Sequence, residues 1–187
     1  MPKATLLGHP AHPMLIVAPA ALLPFTFVMD VLFRRTRKTA YKDAAYFALI
    51  GGVAGGAVAG ATGAMDYLEL PAGSTEKEVA SVHAALNVGL IAASSANLLL
   101  RARGEDAHSS LPFALGALGA LGVLISGWYG GHLVYEHGVR VKGRDILAAA
   151  PEARLPGDAA MAHATRRPAP ALQNASLHVE PPEGAVP

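Results

Sequence analysis

The sequence predicts an all-α integral membrane protein: an antiparallel four-helix bundle followed by a disordered C-terminal tail. Three observations lead there. Four segments each hold about 20 predominantly apolar residues, the length a helix needs to cross the hydrocarbon core. Charge is scarce, with 16% of the 187 residues being Asp, Glu, Lys or Arg against about 25% in soluble domains. What charge there is gathers between the segments and after the last one, as expected where a charge at the bilayer centre costs about 2.5–3.5 kcal/mol.

The first span, HPMLIVAPAALLPFTFVMDVLF at 12–33, ends in the basic cluster RRTRK. Its apolar run is too long for a signal peptide and no small-residue cleavage site follows, so it is read as retained. Pro19 and Pro24 are expected to bend it. Asp30 lies one turn before Arg34, and the pair is expected to snorkel together to the interface. The second span, 44–65, carries Gly52, Gly56 and Gly60 four residues apart, beside a parallel row of Gly51, Gly55, Ala59 and Gly63. The third, 79–100, closes with RAR, and the fourth, 111–135, carries Gly122, Ser126 and Gly130. Small residues at that spacing let helix backbones approach closely in lipid. Packing within the bundle is the expected use, with a homo-oligomer contact as the alternative.

Short linkers make neighbouring spans antiparallel. The bundle is assigned to 1–142 and a polar, Pro/Ala-rich tail to 143–187, where residues 151–187 contain seven prolines and no sustained apolar period. Seven basic residues (Arg34, Arg35, Arg37, Lys38, Lys42, Arg101, Arg103) face one side and five (Lys3, Lys77, Arg140, Lys142, Arg144) the other. The excess favours both termini outside a bacterial plasma membrane.

Absences narrow the function. With no cysteine, disulfides, thiolate zinc sites and iron–sulfur clusters are excluded. A net charge of +1 argues against nucleic acid, which demands a dense basic face. The glycine-rich second span lacks the Gly-Lys-Ser/Thr ending of a phosphate loop, and Ser94, Ser95 and Ser126 sit in no nucleophile elbow. Hydrolysis is not expected.

Histidine is the informative residue. In antiparallel spans, the start of the first, the end of the second, the start of the third and the end of the fourth share one membrane face. His9, His12, His83, His132 and His137 all fall there, with Asp66 at the end of the second span. His83 and Asn87, four apart, share a helical face, and the proline after His12 makes it a candidate helix cap. Converging neutral imidazoles suit haem iron or a transition metal. A haem b would take His12 and His83, with His132 or His137 as substitute. Zinc or copper would need three or four ligands, drawn from His9, His12, His83 and His137. Asn87 and Asp66 would orient the imidazole N–H groups. The alternatives are a scaffold whose histidines form a structural polar cluster, and a small transporter, disfavoured by the absence of an inverted repeat.

GHPAHPMLIVAPAALL, SVHAALNVGL and SGWYGGHLVYEHGVRV together resemble the bacterial membrane family called domain of unknown function 2231, over roughly residues 6–142. The resemblance implies a four-span fold and marks His9, His12, His83 and His137 as characteristic positions. Some relatives resemble fusions to a Rieske-type domain, which implies electron transfer. In this chain, lacking cysteine, a redox partner would be a separate protein.

Overall fold

The computed structural model describes residues 4–7 and 9–141; the expected tail at 143–187 lies outside the described residues. A small hairpin opens the chain, with β1 (Thr5–Leu6) antiparallel to β2 (His9–Pro10). Five helices follow: α1 (Ala11–Leu15), α2 (Val17–Thr36), α3 (Thr39–Leu68), α4 (Thr75–Ala102) and α5 (Ser110–Tyr135). By length and composition α1–α2 together, α3, α4 and α5 are each long and apolar enough to cross a membrane. All exceed the apolar windows read from sequence. The 30 residues of α3 measure about 45 Å at ~1.5 Å per residue, against a hydrocarbon core of about 30 Å. Thr39–Asp43 and Asp66–Leu68 therefore carry the helix beyond its apolar window.

The first span is interrupted at Ile16, between α1 and α2. Pro19 has no N–H to offer the Leu15 carbonyl, so the hydrogen-bond ladder loses a rung there. Pro24 is carried inside α2. Only Arg37 and Lys38 separate α2 from α3, a turn tight enough to hold Arg37 in the left-handed region at φ 63° with its N–H on the Phe33 carbonyl at 2.8 Å. Ser74 caps α4, its hydroxyl accepting the Lys77 N–H at 3.2 Å, as a serine in front of a helix does.

The helices form a ring in which α2 packs on α3 and α5, and α4 packs on the same two. Both glycine rows are used inside it. A Cβ on Gly52 would sit 2.6 Å from Leu23, one on Gly55 2.7 Å from Ala18, one on Gly56 3.3 Å from Ile91, and one on Gly122 2.8 Å from Leu90. Gly60 is looser, 3.8 Å from Ile91. Close packing of neighbouring helices within the chain is what these positions permit. The apolar centre is a layer of Leu23, Leu49 and Leu90.

Below that layer lies a polar one that corrects the expectation for Asp30. The residue is structural, but its partner is Arg101 from the diagonally opposite α4 rather than Arg34. The guanidinium donates from Nη1 to Oδ1 at 2.9 Å and from Nη2 to Oδ2 at 2.6 Å, while its Nε donates to Asn97 Oδ1 at 3.0 Å. Asp30 is fully buried and the Arg101 side chain only 4% exposed. Arg34 instead lies over the Phe113 ring at 4.1 Å. Reaching across the bundle, Arg101 pairs with both carboxylate oxygens at once, and a bidentate pair satisfies them away from water.

At the same end, Lys42 bridges to Asp106 in the α4–α5 linker at 3.1 Å. Burial opposes ionisation of Asp106, yet the His108 backbone N–H and the Lys42 ammonium together hold its carboxyl below the ordinary range. A depressed acid contributes stability above its unfolded pKa and loses it as pH falls through the folded value. Thermal unfolding in detergent should therefore weaken on acidification into that range, and Lys42→Ala should remove part of the dependence. Since the pair is solvent-accessible, less than about 1 kcal/mol is expected.

Candidate functional site

The site lies at the other end of the ring, across the same diagonal. α1 supplies His12 and α4 supplies His83, and their rings stand edge to face with centroids 6.3 Å apart. Each ring is fixed by a main-chain carbonyl from its neighbouring helix. His12 Nδ1 meets the Ala59 oxygen of α3 at 2.8 Å; His83 Nδ1 meets the Ser126 oxygen of α5 at 3.0 Å. A carbonyl oxygen only accepts, so both Nδ1 atoms carry the proton. In the neutral ring the lone pair is then on Nε2. Helix carbonyls are available at these points because glycines leave room for the rings. A Cβ on Gly63 would fall 2.9 Å from His12, and one on Gly130 3.2 Å from His83.

Asn87 is placed beside His83, one turn further along α4, but in a different role from the one expected of it. Its Nδ2 lies 3.2 Å from His83 Nε2, 2.8 Å from the His83 carbonyl and 2.6 Å from Ser126 Oγ. The amide therefore addresses the ring's acceptor nitrogen, while the Ser126 carbonyl takes the N–H. His12 is not a helix cap: Pro10 occupies that position with no side-chain cap bond, and the His12 imidazole turns inward to α3.

The remaining expected residues divide into separate groups. His9 sits exposed in β2. His132 stacks on Trp128 with centroids 5.5 Å apart and an 8° interplanar angle, and meets His137 at 5.0 Å. His137 Nδ1 in turn lies 3.6 Å from a Glu76 carboxylate oxygen. Asp66 does not orient an imidazole; its Oδ1 lies 3.4 Å from Arg140 Nε, and Arg140 Nη2 donates to the Ala4 carbonyl at 2.6 Å. Arg140 thereby ties the hairpin to the end of α3. Among the described residues no three His, Cys, Asp or Glu come together as a metal ion would require. The four-histidine set of His9, His12, His83 and His137 is not assembled, because β2 holds His9 outward and the turn after α5 sends His137 to Glu76.

Four contributors are legible in the sequence only as small packing residues: Ala59 and Ser126 supply the carbonyls, and Gly63 and Gly130 the seats for the rings. Their signal is register, since all four lie on rows that run toward the histidine face.

A model of the family described as "Predicted membrane protein (DUF2231)" matches residues 8–143. No curated protein and no solved structure shows significant similarity to the chain.

Proposed function

This chain belongs to that family of predicted membrane proteins, and we propose that its His12–His83 pair is a two-imidazole ligand site serving electron transfer, with haem b as the ligand. The observation that carries the reading is the shared tautomer: both rings give Nδ1–H to a carbonyl, leaving Nε2 to bind. The two rings come from separate spans and stand with centroids 6.3 Å apart. Ligand number supports haem over a bare ion. Haem iron takes its other four nitrogens from the macrocycle and needs only axial groups from protein, whereas zinc would be left two ligands short. A copper ion held by the two imidazoles is the lesser alternative.

Haem would supply one-electron chemistry; the chain's part is to hold both rings, fix their tautomer and exclude water. The Asn87 amide must release His83 Nε2 for that nitrogen to bind, so Asn87 competes with the ligand. We place the protein in a bacterial plasma membrane with its basic linkers in the cytoplasm and both termini outside. The pair would then exchange electrons with a separate redox protein on the outer face.

Protein purified from haem- and copper-replete cells is expected to carry a Soret band. His12→Ala and His83→Ala should abolish it, and His9→Ala and His137→Ala should retain it. Asn87→Ala should retain or strengthen binding. The second reading, a scaffold with a structural polar cluster, draws on the Asn87 contact to His83 Nε2. It expects the histidine variants to lower the melting temperature of a wild type that carries neither haem nor metal.

A further inference from the structure

We propose that the inward face of α4 is a proton route across the bilayer, with its rate limited at Leu90. His83, Asn87, Leu90, Ser94, Asn97 and Arg101 are spaced alternately four and three apart, which places them along one helical face. All but Leu90 are polar. Ser94, Asn97 and Arg101 are buried, in a setting where polar groups within spans are costly and turn to the bundle interior.

The stripe has a mouth. A cavity of about 170 Å³ is lined by Lys42, Asp43, Tyr46, Arg101, Glu105 and Asp106, so the last residue of the stripe contributes to its wall. From there the polar face continues inward past Asp30, Asn97 and Ser94. It stops at the layer of Leu23, Leu49 and Leu90, which Val53, Leu98 and Val123 back. Beyond the layer, Asn87 and Ser126 Oγ resume it, 2.6 Å apart.

Distance decides what this means. From Asn87 to Ser94 is seven residues, about 10 Å along a helix, against a hydrocarbon core of about 30 Å. Interhelical hydrogen bonding alone would need a pair here and there. It would need neither a polar residue at every inward step but one nor a cavity leading to the first of them.

The carried species is a proton. It enters as hydronium at the cavity, passes through transient water and the Ser94 and Ser126 hydroxyls, each accepting one proton as it releases another while the amides only hold the water, and leaves as hydronium at the far end, so no charge stays on the chain. A metal cation would have to shed its water shell inside the bundle, where the Asp30 carboxylate is already engaged by Arg101, whereas a proton can be relayed from group to group without dehydration of an ion. The route requires no ligand on His12 or His83, and no histidine need titrate.

The test uses the full chain in liposomes containing a pH-sensitive dye, with potential clamped by potassium and valinomycin and an imposed pH step. Wild type should pass protons several-fold faster than protein-free vesicles. Leu90→Ser should raise that rate about tenfold, equivalent to roughly 1.4 kcal/mol off the barrier, and Ser94→Val should return it toward the protein-free level. Leu49→Ser opens the same layer from α3 should Leu90→Ser fold poorly. Leu99→Ser, on an exposed face, should leave the rate unchanged. Wild-type flux equal to that of empty vesicles would overturn the proposal, as would equal effects of the Leu90 and Leu99 changes. A parallel potassium leak without valinomycin in Leu90→Ser, marking a nonspecific hole, would also overturn it.

Discussion

Arg101→Ala is expected to cost about 3–5 kcal/mol of stability, because it strands the Asp30 carboxylate without its counter-charge. The magnitude follows from place. Asp30 is fully buried, both its oxygens accept from the one guanidinium, and Asn97 Oδ1 loses its donor as well. Asp30→Ala should be comparably damaging for the mirror reason, an uncompensated Arg101. The double change Asp30→Leu with Arg101→Met should recover most of the loss, since replacing a buried pair by packed apolar groups is often neutral or stabilising. Equilibrium unfolding in mixed detergent micelles measures all three. Near-additive losses in the double variant would show that the two residues do not act on each other.

Gly55→Leu is the second large effect. A Cβ there would meet Ala18 Cβ at 2.7 Å and Pro19 Cδ at 3.3 Å, and neither neighbour has a rotamer to yield. The first span and α3 would have to separate, at an overpacking cost of about 1–3 kcal/mol or somewhat more. Gly52→Leu meets the Leu23 side chain at 2.6 Å and, at ordinary contact distance, Leu22 Cβ at 3.6 Å, and should be milder because Leu23 has other rotamers. Gly127 has nothing within 4 Å of an added Cβ, so Gly127→Ala should be neutral or slightly stabilising through helix propensity. Melting temperatures in one detergent rank the three, and a Gly55 variant no worse than Gly127→Ala would contradict the packing described.

Much of this arrangement could be read from residue order, and the reason is physical. Lipid forces apolar runs to become helices of known length, and short linkers force them antiparallel, so which helix ends share a face follows at once. That is how residue order alone pairs His12 with His83. Partner choice was harder. Asp30 has Arg34 one turn away in sequence, but its partner is Arg101 on the diagonally opposite helix, and spacing along one helix does not report what faces it across the bundle. The split of His132 and His137 from His12 and His83 depends on the turn after α5, which carries no periodic signal. The role of Asn87 could not be read either, since spacing shows that a side chain is near a ring but not which nitrogen it meets. The hairpin of Thr5–Leu6 and His9–Pro10 is too short for alternation to reveal.

The central claim is that two distant histidines are held as neighbouring imidazoles with Nε2 left to bind. Nitrogen NMR of the purified protein with isotope-labelled histidine tests it most directly. The account predicts that His12 and His83 both carry the proton on Nδ1 in their neutral form, and that haem b shifts the Nε2 signals of these two rings first. Protonation of either neutral ring on Nε2, or Nε2 signals indifferent to both haem b and copper, would contradict it.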